Sequence, residues 1–307
     1  MISNESAQER VEFAKKNGLE KALEHFQITL ESLNRYNRLL RDGTGEPEPE
    51  MPKILVLDVE TSPILLFAWQ LFKPRPNHTD IYQDWHLFSW AAKWLLDDQV
   101  FSDVLTSEEA KAHNDSRICK SLWEYINEAD IIIAHNGKAF DVRKYNARFM
   151  LNGLKPPSPY TVIDTLLESR KMALHTTHRL DYLSKLFGGS GKTNTPKGLW
   201  RKCFAGDPES LLLMEEYNKG DIFILEEAYL FMRPWIKSHP NVGVYMFADE
   251  PRCAVCGGKS LHEDGEVASN IGLYRTFRCN DCNSFSKERK TLVPLKNRKV
   301  LLVSSTK

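Results

Sequence analysis

Apolar positions near the N-terminus recur at helical spacing. Leu19, Ala22, Leu23 and Phe26 fall on one face, and Leu30, Leu33, Tyr36, Leu39 and Leu40 on another, so residues 1–41 predict a helical module. Thr29 stands where an N-cap for the second helix belongs. The stretch RDGTGEPEPEMP has no apolar period, and it predicts a linker over 42–52. From Lys53 the pattern becomes strand-like. ILVLDVET, HLFSWAAKWL and QVFSDVL predict three antiparallel strands, followed by a helix over Ser121–Glu128 and a buried strand, DIIIAH. A helix over Asp141–Leu151, a strand at TVIDT, and helices at HRLDYLSKLFG, ESLLLMEEYNKG and DIFILEEAYLFMRPW complete a region spanning 53–240. Strands first, then alternating strands and helices, predict an α/β fold with a mixed sheet flanked by helices. Residues 241–307 form a further, cysteine-bearing module.

Composition narrows this little. The 307 residues carry 41 Lys and Arg against 41 Asp and Glu, so net charge gives no hint of a partner. No apolar run is long enough to span a membrane, and the polar start MISNESAQER is unlike a signal peptide, so the expected location is cytoplasmic.

Candidate chemistry lies in four acids in three segments. Asp58 and Glu60 end the first strand, two apart, so both point to one face. Asp141 opens a helix after an apolar strand. Asp221 lies four residues after Tyr217, one helical turn away. Four carboxylates brought together repel one another unless cations neutralise them. Their all-oxygen donors suit two hard divalent ions, Mg²⁺ or Mn²⁺, acting on a phosphodiester.

These segments resemble the motifs of the DEDD superfamily of 3′→5′ exonucleases, which includes polymerase proofreading domains. DVET at Asp58–Thr61 resembles the first motif, Asn136 with Phe140–Asp141 the second, and Tyr217 with Asp221 the third. The histidine subclass would need His at 216, where this chain has Glu216, so the tyrosine subclass is implied. The resemblance covers residues 53–236 and implies a ribonuclease-H-like fold in which the four acids hold the two metals and Tyr217 orients the attacking water. Asp164 in VIDTLLESRK either supports the site or caps a turn. Asn136 either contacts nucleic acid or braces Asp141. Lys138, Arg143, Lys144 and Arg148 are candidate phosphate contacts. The expected substrate is nucleic acid, DNA before RNA, with a separate polymerase or another replication or repair protein as a partner. Internal cleavage, and an inactive nucleic-acid-binding accessory, are the alternatives.

Two further modules flank this region. FQITLESLNRYNR is similar to recognition helices of helix-turn-helix proteins, although Gln27 stands where glycine is usual; it would present Glu31, Asn34, Arg35 and Arg38. The alternative is a helical hairpin that packs on the main domain or a partner. At the other end, Cys253 and Cys256 in CAVCGG and Cys279 and Cys282 in CNDCNS predict a closed four-thiolate zinc site in a ribbon, with IGLYRTFRC as a strand. Basic residues here, Arg275, Arg278, Lys287, Arg289, Lys290, Lys296, Arg298 and Lys299, accompany Tyr274, Phe277 and Phe285, a composition suited to holding single strands, to a solvated structural ribbon or to a protein-docking ribbon. Cys119 and Cys203 read as core residues.

Overall fold

The structure, a computed structural model, describes residues 4–17, 19–26, 51–189, 191, 195–246, 248 and 250–303. The expected helix with Thr29, Glu31, Asn34, Arg35 and Arg38, and nearly all of the 42–52 linker, lie outside the described residues. Two compact units are present: Lys53–Met232, and Met1–Pro52 together with Arg233–Lys307. Among the described residues no helix is long and apolar enough to cross a membrane.

At the N-terminus are α1 (Asn4–Asn17) and α2 (Leu19–Phe26). They meet through rings: Phe13 stacks on His25 with centroids 4.5 Å apart, and Phe26 meets Phe13 edge-on.

The unit Lys53–Met232 contains β1 (Ile54–Thr61), β2 (Leu65–Leu66), β3 (Ile81–Gln83), β4 (Leu87–Trp94) and β5 (Val100–Val104). Next come α3 (Ser107–Lys111), α4 (Ser116–Glu128), β6 (Ile131–Ala134), α5 (Asp141–Leu151) and β7 (Thr161–Asp164). The last are α6 (Thr165–Met172), α7 (Leu180–Leu186), α8 (Leu199–Phe204) and α9 (Pro208–Met232). Five strands form one sheet in the order β5-β4-β1-β6-β7. β1, β4 and β5 run antiparallel, while β6 and β7 add in parallel. This mixed sheet between helices is the ribonuclease-H-like arrangement expected above.

Alternation along β1 and β4 decides what each face carries. Leu55, Leu57 and Val59 join Phe88, Trp90 and Ala92 in the main hydrophobic cluster, and Trp90 Nε1 donates to Ser121 Oγ on α4. Asp58 and Glu60 take the opposite face, paired across the ladder with Ala91 and Ser89. Lys93, on that same face, is buried only because Glu226 of α9 meets it at 2.5 Å. Glu226 also accepts the Leu96 N–H, so both carboxylate oxygens are used. Cys119 and Cys203 are fully buried, and burial pushes the Cys203 thiol up to about 12.

The structure corrects the division of the last helices. Residues 208–232 are one 25-residue helix, with no break at Asn218–Asp221. That stretch has the polar and glycine character of a stop signal, but Asn218 and Asp221 are buried, at 0% and 2% exposure. Packing of α9 across β4, β1 and β5 overrides the local preference, which for glycine costs only about 1 kcal/mol. The short helices α3, α6 and α8, of five, eight and six residues, are additions to the elements expected from the sequence.

The other unit holds α10 (Gly243–Met246), β8 (Leu261–Ser269), β9 (Gly272–Cys279), β10 (Phe285–Lys287) and α11 (Leu295–Arg298). Its three strands form a sheet in the order β10-β9-β8.

Candidate active site and metal centres

Carboxylate oxygens of Asp58, Glu60 and Asp221 lie within 4.8 Å of one another. Two come from the end of β1, and the third comes from the middle of α9. Asp141 does not join that tight group but sits against it. The β1–β6 ladder ends at Val56–Ile133, and farther along β1 the Val59 N–H is bound by Asp141 Oδ1 at 3.2 Å. The fourth acid therefore grips the backbone between the first two, and its own exposure is 2%.

Tyr217 is half-buried one turn before Asp221, with the Trp200 ring edge-on at 6.2 Å. Glu216, at the position a histidine would need to occupy, is turned outward and paired with Lys219 at 2.9 Å.

Sequence reasoning missed Asn218. Its side-chain amide donates to Asp58 Oδ2 at 2.6 Å, while its Oδ1 accepts from Ser89 Oγ at 3.3 Å. Ser89 is the cross-strand neighbour of Glu60, so Asn218 is anchored on β4 opposite the second acid of the pair. The signal was available, because Asn218 is three residues before Asp221 and shares its helix face.

The turn that delivers Asp141 is fixed by Asp164. Its Oδ1 accepts from the Asn136, Leu166 and Leu167 N–H groups, and its Oδ2 accepts from Lys138 N–H, at 3.0–3.1 Å. Asp164 is thus the N-cap of α6 and at the same time a clasp on the 136–138 turn. Asn136 is left-handed, with φ 66°, and a Cβ on Gly137 would stand 2.4 Å from Ala134 Cβ, so glycine is required there. The backbone of Asn136 is thereby tied to Asp164 within the turn that leads to Asp141. Beside this turn a cavity of about 510 Å³ is lined by His135, Arg170, Thr177, His178, Arg179 and Asp181.

The four basic candidates near the second motif part company. Lys138 and Arg143 are exposed. The Lys144 ammonium sits 3.6 Å from the centroid of the Trp85 ring, and desolvation lowers its pKa. Arg148 is a structural clamp, not a free phosphate contact, since its Nε and Nη2 bind both oxygens of Asp115 at 2.6 and 2.8 Å. Burial works to raise the Asp115 pKa, but Arg148, Asn152 and the Leu87 N–H outweigh it and hold the carboxyl below its usual value.

The cysteine centre is built from two knuckles with the same hydrogen bonds. Cys253 N–H donates to Gly258 O, and Gly257 N–H to Cys253 O; Cys279 N–H donates to Ser284 O, and Asn283 N–H to Cys279 O. Each knuckle needs a left-handed residue after its second cysteine, and Gly257 and Asn283, with φ of 73° and 60°, supply it. The four sulfurs lie within 4.8 Å of one another, and Cys253–Cys282 and Cys256–Cys279 are both 3.6 Å apart. Tetrahedral zinc with sulfur ligands requires about 3.8 Å between sulfurs, so the set fits such an ion. Nearby, Arg278 covers the Phe285 ring at 4.0 Å and Lys287 the Tyr274 ring at 5.0 Å, so two of the three aromatic candidates in the ribbon already carry a cation.

No curated protein matches the chain. Among solved structures it is similar to the family B DNA polymerase from the hyperthermophilic archaeon Pyrobaculum calidifontis, at 15% identity and a TM-score of 0.43, over 66% of this chain and 28% of that one. The chain thus spans little more than a quarter of the polymerase's length. The family model RNase_H_2, of the RNase_H superfamily, matches residues 78–231, a stretch that includes Asp141, Tyr217 and Asp221. That match covers half of the chain, and the protein belongs to the RNase H superfamily.

Proposed function

We propose that the protein is a divalent-metal-dependent nuclease, acting as a 3′→5′ exonuclease of the DEDD tyrosine subclass. The observation that carries this reading is the meeting of Asp58, Glu60 and Asp221 oxygens within 4.8 Å, with Asp141 bound to the backbone between the first two. The donors are all carboxylate oxygens, which suits Mg²⁺ or Mn²⁺ and disfavours zinc at this site. Bound there, such ions supply Lewis-acid stabilisation of charge on the phosphoryl oxygens.

The chain's own residues do the rest. Asn218 donates to Asp58 Oδ2 and so orients that carboxylate beside Glu60 and Asp221. Asp141 and Asp164 fix the turn beside it, and Tyr217 orients a water toward the phosphorus. The tyrosine subclass is the reading that the third motif supports, with Tyr217 four residues before Asp221 and Glu216 where a histidine would be needed. DNA is the favoured substrate, following the motif resemblance to proofreading domains. The four-cysteine set holds one structural zinc ion, which leaves no open position for catalysis.

Single-stranded DNA and RNA labelled at either end, and a closed circle, test this in Mg²⁺ or Mn²⁺. Stepwise loss of a 3′ label with the circle intact is expected, and Asp58→Ala should be inactive. Cleavage of the circle would replace the exonuclease reading with an endonuclease, and unchanged cleavage by Asp58→Ala would refute the site.

A further inference from the structure

Between Glu60 and β4 the chain leaves the sheet as a two-stranded hairpin. Leu65 pairs with Gln83 and Leu66 with Ile81. Its base is closed by Ser62 N–H to His86 O at 2.9 Å and His86 N–H to Ser62 Oγ at 3.0 Å, two residues past Glu60. Every residue from Pro63 to Thr79 is exposed. The exposed side chains are large and apolar: Trp69 is 98% exposed, Leu71 85%, Phe72 83% and Phe67 65%. Trp69 and Phe72 make no ring contact among the described residues, whereas Phe67 meets Tyr82 edge-on at 5.7 Å. A hairpin of this size gains little stability by itself in water, and so large an apolar display marks a binding surface.

Charge and chain path say what covers it. Both acids of the hairpin are engaged with backbone: Asp80 accepts from Asn77 N–H and Asp84 from Trp85 N–H. Both of its cations, Lys73 and Arg75, are exposed and have no ion pair among the described residues. Flat rings interspersed with unpaired cations match the alternating bases and phosphates of a single strand. The surface begins only about 7 Å of strand beyond the carboxylate cluster. In the ribbon, by contrast, Arg278 and Lys287 already cover the rings of Phe285 and Tyr274.

We propose that the hairpin Ser62–His86 is a stacking arm for single-stranded nucleic acid, with Trp69 and Phe72 stacking on bases and Lys73 and Arg75 holding phosphates. The proposal rests on the nuclease reading for its choice of occupant. It goes beyond that reading in assigning a strand-binding surface outside the metal site.

The test measures binding of a fluorescein-labelled oligothymidylate to the full chain by anisotropy, with Ca²⁺ replacing Mg²⁺, beside an abasic strand of equal length. The double variant Trp69→Ala/Phe72→Ala should bind oligothymidylate roughly ten- to a hundredfold more weakly, with abasic binding unchanged. Lys73→Ala/Arg75→Ala should flatten the salt dependence for both strands. Hydrolysis of the small substrate thymidine 5′-(p-nitrophenyl phosphate) should stay within about twofold of wild type in both variants, since it does not reach the arm. Unchanged oligothymidylate affinity in Trp69→Ala/Phe72→Ala overturns the proposal whether or not the protein cleaves, and leaves a protein partner as the occupant. Wild type inactive on both substrates, with the affinity loss still present, would defeat the nuclease reading and leave the arm standing.

Discussion

The Asn218 side-chain amide and the Asp58 carboxylate meet at 2.6 Å, joining the middle of α9 to the end of β1. Asn218 is fully buried and its other end is held by Ser89, so it can only present its N–H groups to Asp58. Outer partners of this kind set ligand orientation and affinity. Asn218→Ala should therefore weaken divalent-ion binding by roughly ten- to a hundredfold. Calorimetric titration with Mn²⁺ checks this, and an affinity within experimental error of wild type would remove Asn218 from the site.

Gly220 sits inside α9 with nothing within 4 Å of where a Cβ would stand. A methyl group there meets no obstacle, and it reduces the freedom of the unfolded chain. Gly220→Ala is expected to raise stability by about 0.5–1 kcal/mol. Denaturant midpoints measure it; a loss of stability would mean that the helix is strained at this point.

The base of the hairpin contains a buried histidine whose charge state sets a pH limit. Desolvation, aided by His113 and Arg148 and opposed by Asp115, pushes the His86 pKa down to about 4. Its Nε2 is buried without a hydrogen-bond partner, so a proton there would have no acceptor. The unfolded chain binds that proton below its ordinary value of 6.5, whereas the folded chain does so only near 4. Stability from this group is complete above the unfolded value and is lost as pH falls through the folded one. The loss is on the order of 2 kcal/mol once partial screening is allowed for. Unfolding of wild type and His86→Gln between these pH values should show a shallower dependence in the variant. Parallel profiles would rule the histidine out.

A zinc ion held by the four cysteines, as proposed, should stabilise the small sheet around it. One zinc per chain should be found by elemental analysis, and Cys279→Ala should lose it. Retention of zinc by that variant would contradict a closed four-thiolate site.

Much of this was legible in the chain, and the misses have physical causes. Alternation through ILVLDVET put Asp58 and Glu60 on one face, and helical spacing put Tyr217 with Asp221, because both are local rules. Asn218 lay inside the predicted helix ESLLLMEEYNKG without a role, since only the sheet packed beneath α9 brings it to Asp58. Arg148 looked like a surface cation because its partner, Asp115, is 33 residues away in sequence. The short helix α6 follows from Asp164, whose capping role depends on the neighbouring turn and not on any apolar period.

The central claim is that the acids form one divalent-ion site. Electron paramagnetic resonance of Mn²⁺ titrated into the protein tests it most directly. The account predicts tight uptake of Mn²⁺ by wild type and loss of that uptake in Asp58→Asn/Asp221→Asn, with the fold retained by circular dichroism. Equal Mn²⁺ uptake by the two proteins would contradict it.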